Sequence, residues 1–219
     1  TIKAIINLAI KENGLNITNA FAKTYIPLGT STAERPSVPL QGIRIIQTEC
    51  YNLDDESRWL IALLADTGMR LAEGVGLLSS DLCVDEREPY VRLTKHPWRT
   101  LKTSSSVRDI PLVGSALWAA IQIKKTHSQF AFPKYCTTEA CNSNSASAAL
   151  NKWLKPRLPN GCVVHSFRHS LRDRLRAVEC PSDLVDALGG WTTSGVGQKY
   201  GHGYDMQVKH RWMSMLEER

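Results

Sequence analysis

The chain has 219 residues, 42% hydrophobic and 22% charged, a balance that predicts an ordinary soluble globular protein with a core large enough to need no staples. No stretch approaches the roughly 20 apolar residues of a membrane-spanning helix, and the N-terminus lacks a secretory pattern, so a cytoplasmic protein with no membrane partner is expected. The formal charge of +6 and the pI of about 9.1 suit a polyanionic partner, and equally a basic surface with no special role.

The chain opens inside a helical pattern. Ile2, Ile5, Ile6, Ala9 and Ile10 recur on one helix face and Gly14 is a fitting stop, which predicts a helix over 2–13 and a domain cut from a longer protein. Residues 27–42 carry Pro27, Pro36 and Pro39 with little periodicity and read as a linker. The expected organisation is thus a terminal helix of a truncated domain over 1–26, a linker over 27–42 and one continuous domain over 43–219. In that domain Leu60, Ile61, Leu63 and Leu64 predict a buried helix ending near Thr67 and Gly68, followed by a second from Arg70 to Leu78. Three short strands are expected at Tyr90–Leu93, Trp98–Lys102 and Val107–Pro111. Helices follow at 114–126, at 143–154, from Ser166, after Pro181 up to Gly189, and from about Asp205 to Glu217. The fold class is mainly α with one small antiparallel sheet (α+β). Six cysteines lack metal-like spacing and are expected as reduced thiols.

Four places carry residue types suited to phosphate chemistry. His165 and Arg168 lie three apart at a helix start, where an imidazole, a guanidinium and free backbone N–H groups can surround an anion. Arg70 follows a helix break with Glu73 three residues on, either a surface ion pair or an arginine held toward an anion. Lys102 enters a Thr-Ser-Ser-Ser turn, as a solvated lysine or as a mobile proton donor to a leaving oxygen. Trp191, after Gly189 and Gly190, precedes Tyr200 by nine residues; its indole N–H can donate to a phosphate oxygen, or the ring can simply fill a core.

The order of these segments resembles one family, the tyrosine recombinases of the phage integrase type. "TGMRLAEGVGLLSSDL" is similar to their first catalytic arginine segment, "LKTSSSVRDIPL" to their lysine hairpin, "HSFRHSLRDRL" to their H-x-x-R helix, and "LGGWTTSGVGQKYGHGY" to the segment that holds their third His/Trp position and the nucleophilic tyrosine. "AIINLAIKENGL" resembles the last helix of the DNA-gripping N-terminal domain. Most members have histidine where this chain has Trp191, which keeps a hydrogen-bond donor and removes a proton-transfer group.

The resemblance implies the recombinase catalytic-domain fold and a site-specific recombinase that cleaves and rejoins DNA through a 3′-phosphotyrosine, without metal, ATP or other cofactor. Tyr200 would be the nucleophile, with Tyr204 the nearby alternative. Arg70 and Arg168 would clamp the phosphate, Lys102 would protonate the leaving oxygen, and His165 would bind phosphate and help move the tyrosine proton. Trp191 would complete the pocket and Glu73 would orient its neighbours. Implied partners are double-stranded attachment-site DNA, a homo-tetramer on synapsed sites and accessory DNA-bending proteins, with the protein on the nucleoid when bound. The apolar stripe of Val208, Trp212, Met215 and Leu216 would dock on a neighbouring protomer or on its own domain. A type IB topoisomerase shares this chemistry, and a non-catalytic DNA-binding remnant shares the basic balance.

Overall fold

The computed structural model describes residues 2–24, 35–191 and 203–217, and divides the chain into two compact units, Thr1–Glu34 and Arg35–Arg219. In the first, α1 (Ile2–Glu12) is met by the residues after it. The buried Asn19 donates to the Lys3 carbonyl at 3.0 Å, and Lys3 Nζ donates to the Ala22 and Thr24 carbonyls. None of the apolar positions of α1 is buried; Ile2 and Ile5 are more than half exposed.

The second unit is built around α3 (Glu56–Thr67). Every residue from Leu60 to Thr67 is buried, the behaviour of a helix that is apolar on all sides. Its ends are fixed locally. The Asp55 carboxylate accepts from Arg58 N–H at 3.0 Å at the start, and Gly68, at φ 60°, closes the helix with its N–H on the Leu64 carbonyl. Packed on it are α2 (Leu40–Leu53), α5 (Gly114–Lys125), α7 (Ser166–Ala177) and the short α4 (Leu71–Val75). One polar point binds this layer: the buried Asp66 carboxylate accepts from Gln47 of α2, Ser115 of α5 and Arg174 of α7. The remaining helices are α6 (Ser143–Leu154), α8 (Ser182–Gly189) and α9 (Met206–Ser214).

The sheet is three-stranded and antiparallel, with β1 (Leu82–Cys83), β2 (Tyr90–Leu93) and β3 (Arg108–Pro111) in that order. Its register sets Val91 opposite Ile110 and Leu93 opposite Arg108 on the buried face, while Arg92 meets Asp109 on the other face at 3.4 Å.

Four expectations are corrected. Helix α2 begins inside the segment expected as linker, and α4 stops at Val75, short of Leu78. Trp98–Lys102 is no strand: only a His96–Arg99 bridge forms, because Trp98 Nε1 donates to the Gly76 carbonyl and Arg99 Nη1 to the Glu73 carbonyl, fastening the segment to the α4 turn. The third strand is the two-residue β1 instead. Cys136 and Cys141 are joined in a disulfide, while Cys50, Cys83, Cys162 and Cys180 are free. Of the two dockings left open for the last helix, α9 shows the one on its own chain, against β3, with Met213 and Leu216 buried and Arg174 Nη2 donating to the Leu216 carbonyl.

Candidate active site

The turn after α3 presents the first arginine. Gly68 adopts the left-handed conformation that reverses the chain, and a Cβ there would lie 2.5 Å from Leu171 Cδ2, so the turn sits directly on α7. Arg70 then caps α4, and Glu73 secures it twice: one carboxylate oxygen accepts the Arg70 backbone N–H at 2.9 Å, the other accepts Nη1 at 2.6 Å. Glu73 is 3% exposed, so the surface ion pair is the wrong picture. Its second guanidinium partner is Arg108 of β3, at 3.1 Å. Burial pushes the Glu73 carboxyl up, but Arg108 and the bonds from Arg70 outweigh it and hold it below the usual carboxylate value.

Helix α7 brings the second arginine to the same turn. Arg168 is 4% exposed, and its Nη1 donates to the Gly68 carbonyl at 2.7 Å. Its Nη2 is buried with no acceptor among the described residues. Trp191 lies over the guanidinium carbon at 4.4 Å, and Arg172 covers the same indole at 4.8 Å. The Trp191 ring rests on Gly189, where a Cβ would lie 1.8 Å from it; only glycine admits this packing. Burial first, then the charges of Arg70 and Arg108, pull Arg168 down to about 9, so it remains a cation at neutral pH that an added anion would stabilise.

His165 precedes α7 and is half-buried, its ring 5.2 Å from that of His169. Burial, then the positive surroundings of His169, Arg168, Arg35 and Arg70, lower its pKa, so it is a neutral imidazole at pH 7. Lys102 is exposed in the bend before a 3-10 turn at Ser104–Ser106. That turn reaches the arginines through Ser106, fully buried, whose Oγ accepts from Arg70 Nη1 at 3.0 Å.

The structure therefore gathers Arg70, Glu73, Arg168 and Trp191, sets His165 at the head of the same helix, and ties the Lys102 loop to Arg70. Tyr200 lies outside the described residues. Tyr204 is described: its hydroxyl donates to the Asp183 carboxylate, a bond that pushes its pKa up to about 12. Among the described residues no group of three or more His, Cys, Asp or Glu side chains could hold a metal ion, and no helix is long and apolar enough to cross a membrane. Three participants were not expected: Arg108, Ser106 and Arg99. A signal for Arg108 exists in the sequence, since it shares strand parity with the buried Ile110 and must then face inward.

The sequence profile described as "Phage integrase family" matches residues 41–207, well over half of the chain. The chain belongs to the phage integrase family. No curated protein sequence matches it. Among solved structures, this integrase is similar in fold to the integrase from mycobacterium phage Brujita, with a TM-score of 0.63 and 16% identity over 98% of this chain and 68% of that one. The Tn1549 transposon integrase in complex with transposon right end DNA gives 0.55 and 20% identity, covering 95% of this chain and 74% of that one. A lambda integrase dimer bound to a COC′ core site gives 0.53 and 16%, covering 93% and 72%. These likenesses identify the tyrosine recombinase catalytic fold.

Proposed function

We propose that this integrase is a site-specific DNA recombinase that cleaves and rejoins strands through a covalent 3′-phosphotyrosine, with Tyr200 as nucleophile. The observation that carries the reading is the pairing of two guanidinium groups at one turn: Arg70 held by Glu73, and Arg168 bonded to the Gly68 carbonyl while a buried Nη2 keeps an N–H for another acceptor. Two fixed cations side by side suit the non-bridging oxygens of a phosphodiester and the extra charge of its pentavalent transition state.

The Tyr200 hydroxyl attacks phosphorus, forming the P–O bond to tyrosine as the P–O5′ bond breaks. The phenolic proton passes to the neutral imidazole of His165, whose lowered pKa keeps it able to accept. Lys102 supplies a proton to the departing 5′ oxygen. Trp191 holds Arg168 from above and closes the pocket. A 5′-hydroxyl from a second strand then attacks the phosphotyrosine and releases Tyr200. One ester replaces another, so the phosphodiester free energy is conserved and no nucleotide cofactor is needed. The partners are double-stranded attachment sites, as the DNA-bound Tn1549 and lambda integrase structures suggest by analogy, with four copies on two synapsed sites and accessory DNA-bending proteins. Residues 1–26 are then the last helix of a DNA-gripping domain, and the catalytic domain, expected from 43, extends back to take in α2.

The test is to incubate the full chain with a library of randomised, nicked duplexes, denature, and sequence DNA ends attached to protein. A 3′-linked adduct that disappears in Tyr200→Phe, with DNA affinity nearly unchanged, is the expected result. An unchanged adduct yield in that variant overturns the assignment. Relaxation of supercoiled plasmid without exchange between two recovered sites would point instead to a topoisomerase.

A further inference from the structure

Arg108 is an expensive residue to bury. It is the first residue of β3 and faces inward with Ile110; its side chain is 5% exposed, and burial lowers its pKa. A cation in such a place is compensated only by well-formed bonds, and an apolar side chain of similar size commonly stabilises as well or better. The bonds Arg108 makes are unusual in where they go. Nη2 donates to Glu73 Oε2 at 3.1 Å, Nη1 to the Ser106 carbonyl at 2.9 Å, and Nε to the Leu188 carbonyl in the last turn of α8 at 2.9 Å.

Each acceptor leads to a different part of the active site. Glu73 holds Arg70. Ser106 ends the turn that Lys102 enters, and its own hydroxyl accepts from Arg70 Nη1, so Arg108, Glu73, Arg70 and Ser106 form a closed ring of bonds. Leu188 lies three residues before Trp191, on the segment that continues to Tyr200. The chain makes room for this arrangement at Gly190, at φ 63°, where a Cβ would lie 2.7 Å from Arg108 Nη1. Lysine could supply the charge but not three donors in a fixed plane.

We propose that Arg108 is a positioning residue for strand cleavage, whose planar guanidinium sets the spacing between the Arg70–Glu73 pair, the Lys102 loop and the segment that leads to Trp191 and Tyr200. Buried as it is, it does not touch DNA. It acts through Glu73, Ser106 and the end of α8. The inference rests on the recombinase reading.

The experiment compares the full chain with Arg108→Lys, Arg108→Met, Glu73→Gln and the double variant Arg108→Met/Glu73→Gln, on a duplex recovered from the adduct library. Single-turnover adduct formation, DNA affinity and thermal melting are measured, the first two well below each melting temperature. Arg108→Lys should slow adduct formation about tenfold or more while affinity changes less than about threefold. The double variant, which removes both buried charges together, should fold and lose less in cleavage than the product of the two single losses, because the two residues share one ring of bonds. A wild-type cleavage rate in folded Arg108→Lys, or rate losses that multiply in the double variant, would overturn the proposal. A wild-type chain that forms no adduct with any duplex would instead defeat the recombinase reading itself.

Discussion

Replacing Arg168 by glutamine separates what this side chain does for the fold from what it does for an anion. The drop from the ordinary 12.5 to about 9 corresponds to roughly 5 kcal/mol by which the surroundings disfavour the charged form. Burial is the largest cause, followed by repulsion from Arg70 and Arg108. Against that relief, the variant weakens the charged bond to the Gly68 carbonyl, worth about 1.5–3 kcal/mol, and the contact under Trp191, worth about 1–2 kcal/mol. The terms nearly cancel, so Arg168→Gln should leave the DNA-free protein as stable as wild type, or more stable by about 1 kcal/mol. Strand cleavage should fall on the order of 100-fold or more, as for loss of one donor to a developing oxyanion. Urea unfolding measures the first quantity and single-turnover adduct formation the second. A loss of stability beyond about 2 kcal/mol would show Arg168 to be a net structural support and would refute the idea of a cation held at a cost until phosphate arrives.

Three further outcomes follow from the same geometry. Because the folded protein holds His165 below its ordinary 6.5, the unfolded chain binds more protons in that range; stability and cleavage should both hold above pH 6.5 and decline as acidity rises through the lowered folded pKa, and a His165→Gln variant that keeps the same decline would remove histidine from the account. Gly68→Ala combines a positive φ with a Cβ 2.5 Å from Leu171, and should cost about 1–3 kcal/mol and lower cleavage by displacing the carbonyl that Arg168 uses; thermal melting within a degree of wild type would contradict this. Met213→Ala, at a fully buried position of α9, should destabilise the isolated monomer by about 2–5 kcal/mol, whereas a tail that docks on a neighbour would leave the monomer's melting unchanged.

Legibility in the sequence followed how local the deciding physics was. Helix α3 was plain because an apolar cluster over 59–65 is followed closely by Gly68, and α6 because its stripe has the right spacing. Helix α2 was missed: only Ile43, Ile46 and Cys50 face its core, too thin a pattern beside the prolines before it. Trp98–Lys102 was misread because two of its residues bond to carbonyls of the α4 turn, a tertiary preference that no alternation reveals. At the site, Arg70, Glu73, Arg168 and Trp191 could be named because they stand in recognisable order, and the structure does bring them together. What the order could not convey was burial. The local pattern left Glu73 open between a surface ion pair and an orienting group, and Arg108 drew no notice, since both matter through bonds made across 35 residues of chain. The roles of Lys102 and Tyr200 still rest on their place in the motifs.

The turn that carries Arg70 grows out of the end of α3, the helix with no exposed side. Amide protons in such a helix exchange with solvent only when the whole domain opens, whereas a surface loop exposes its own many times over in the same interval. The Gly68 carbonyl and the backbone leading to Arg70 are therefore expected to open about as rarely as the core they sit on. Events that strain the surface of the domain would then leave the spacing of its two arginines unchanged.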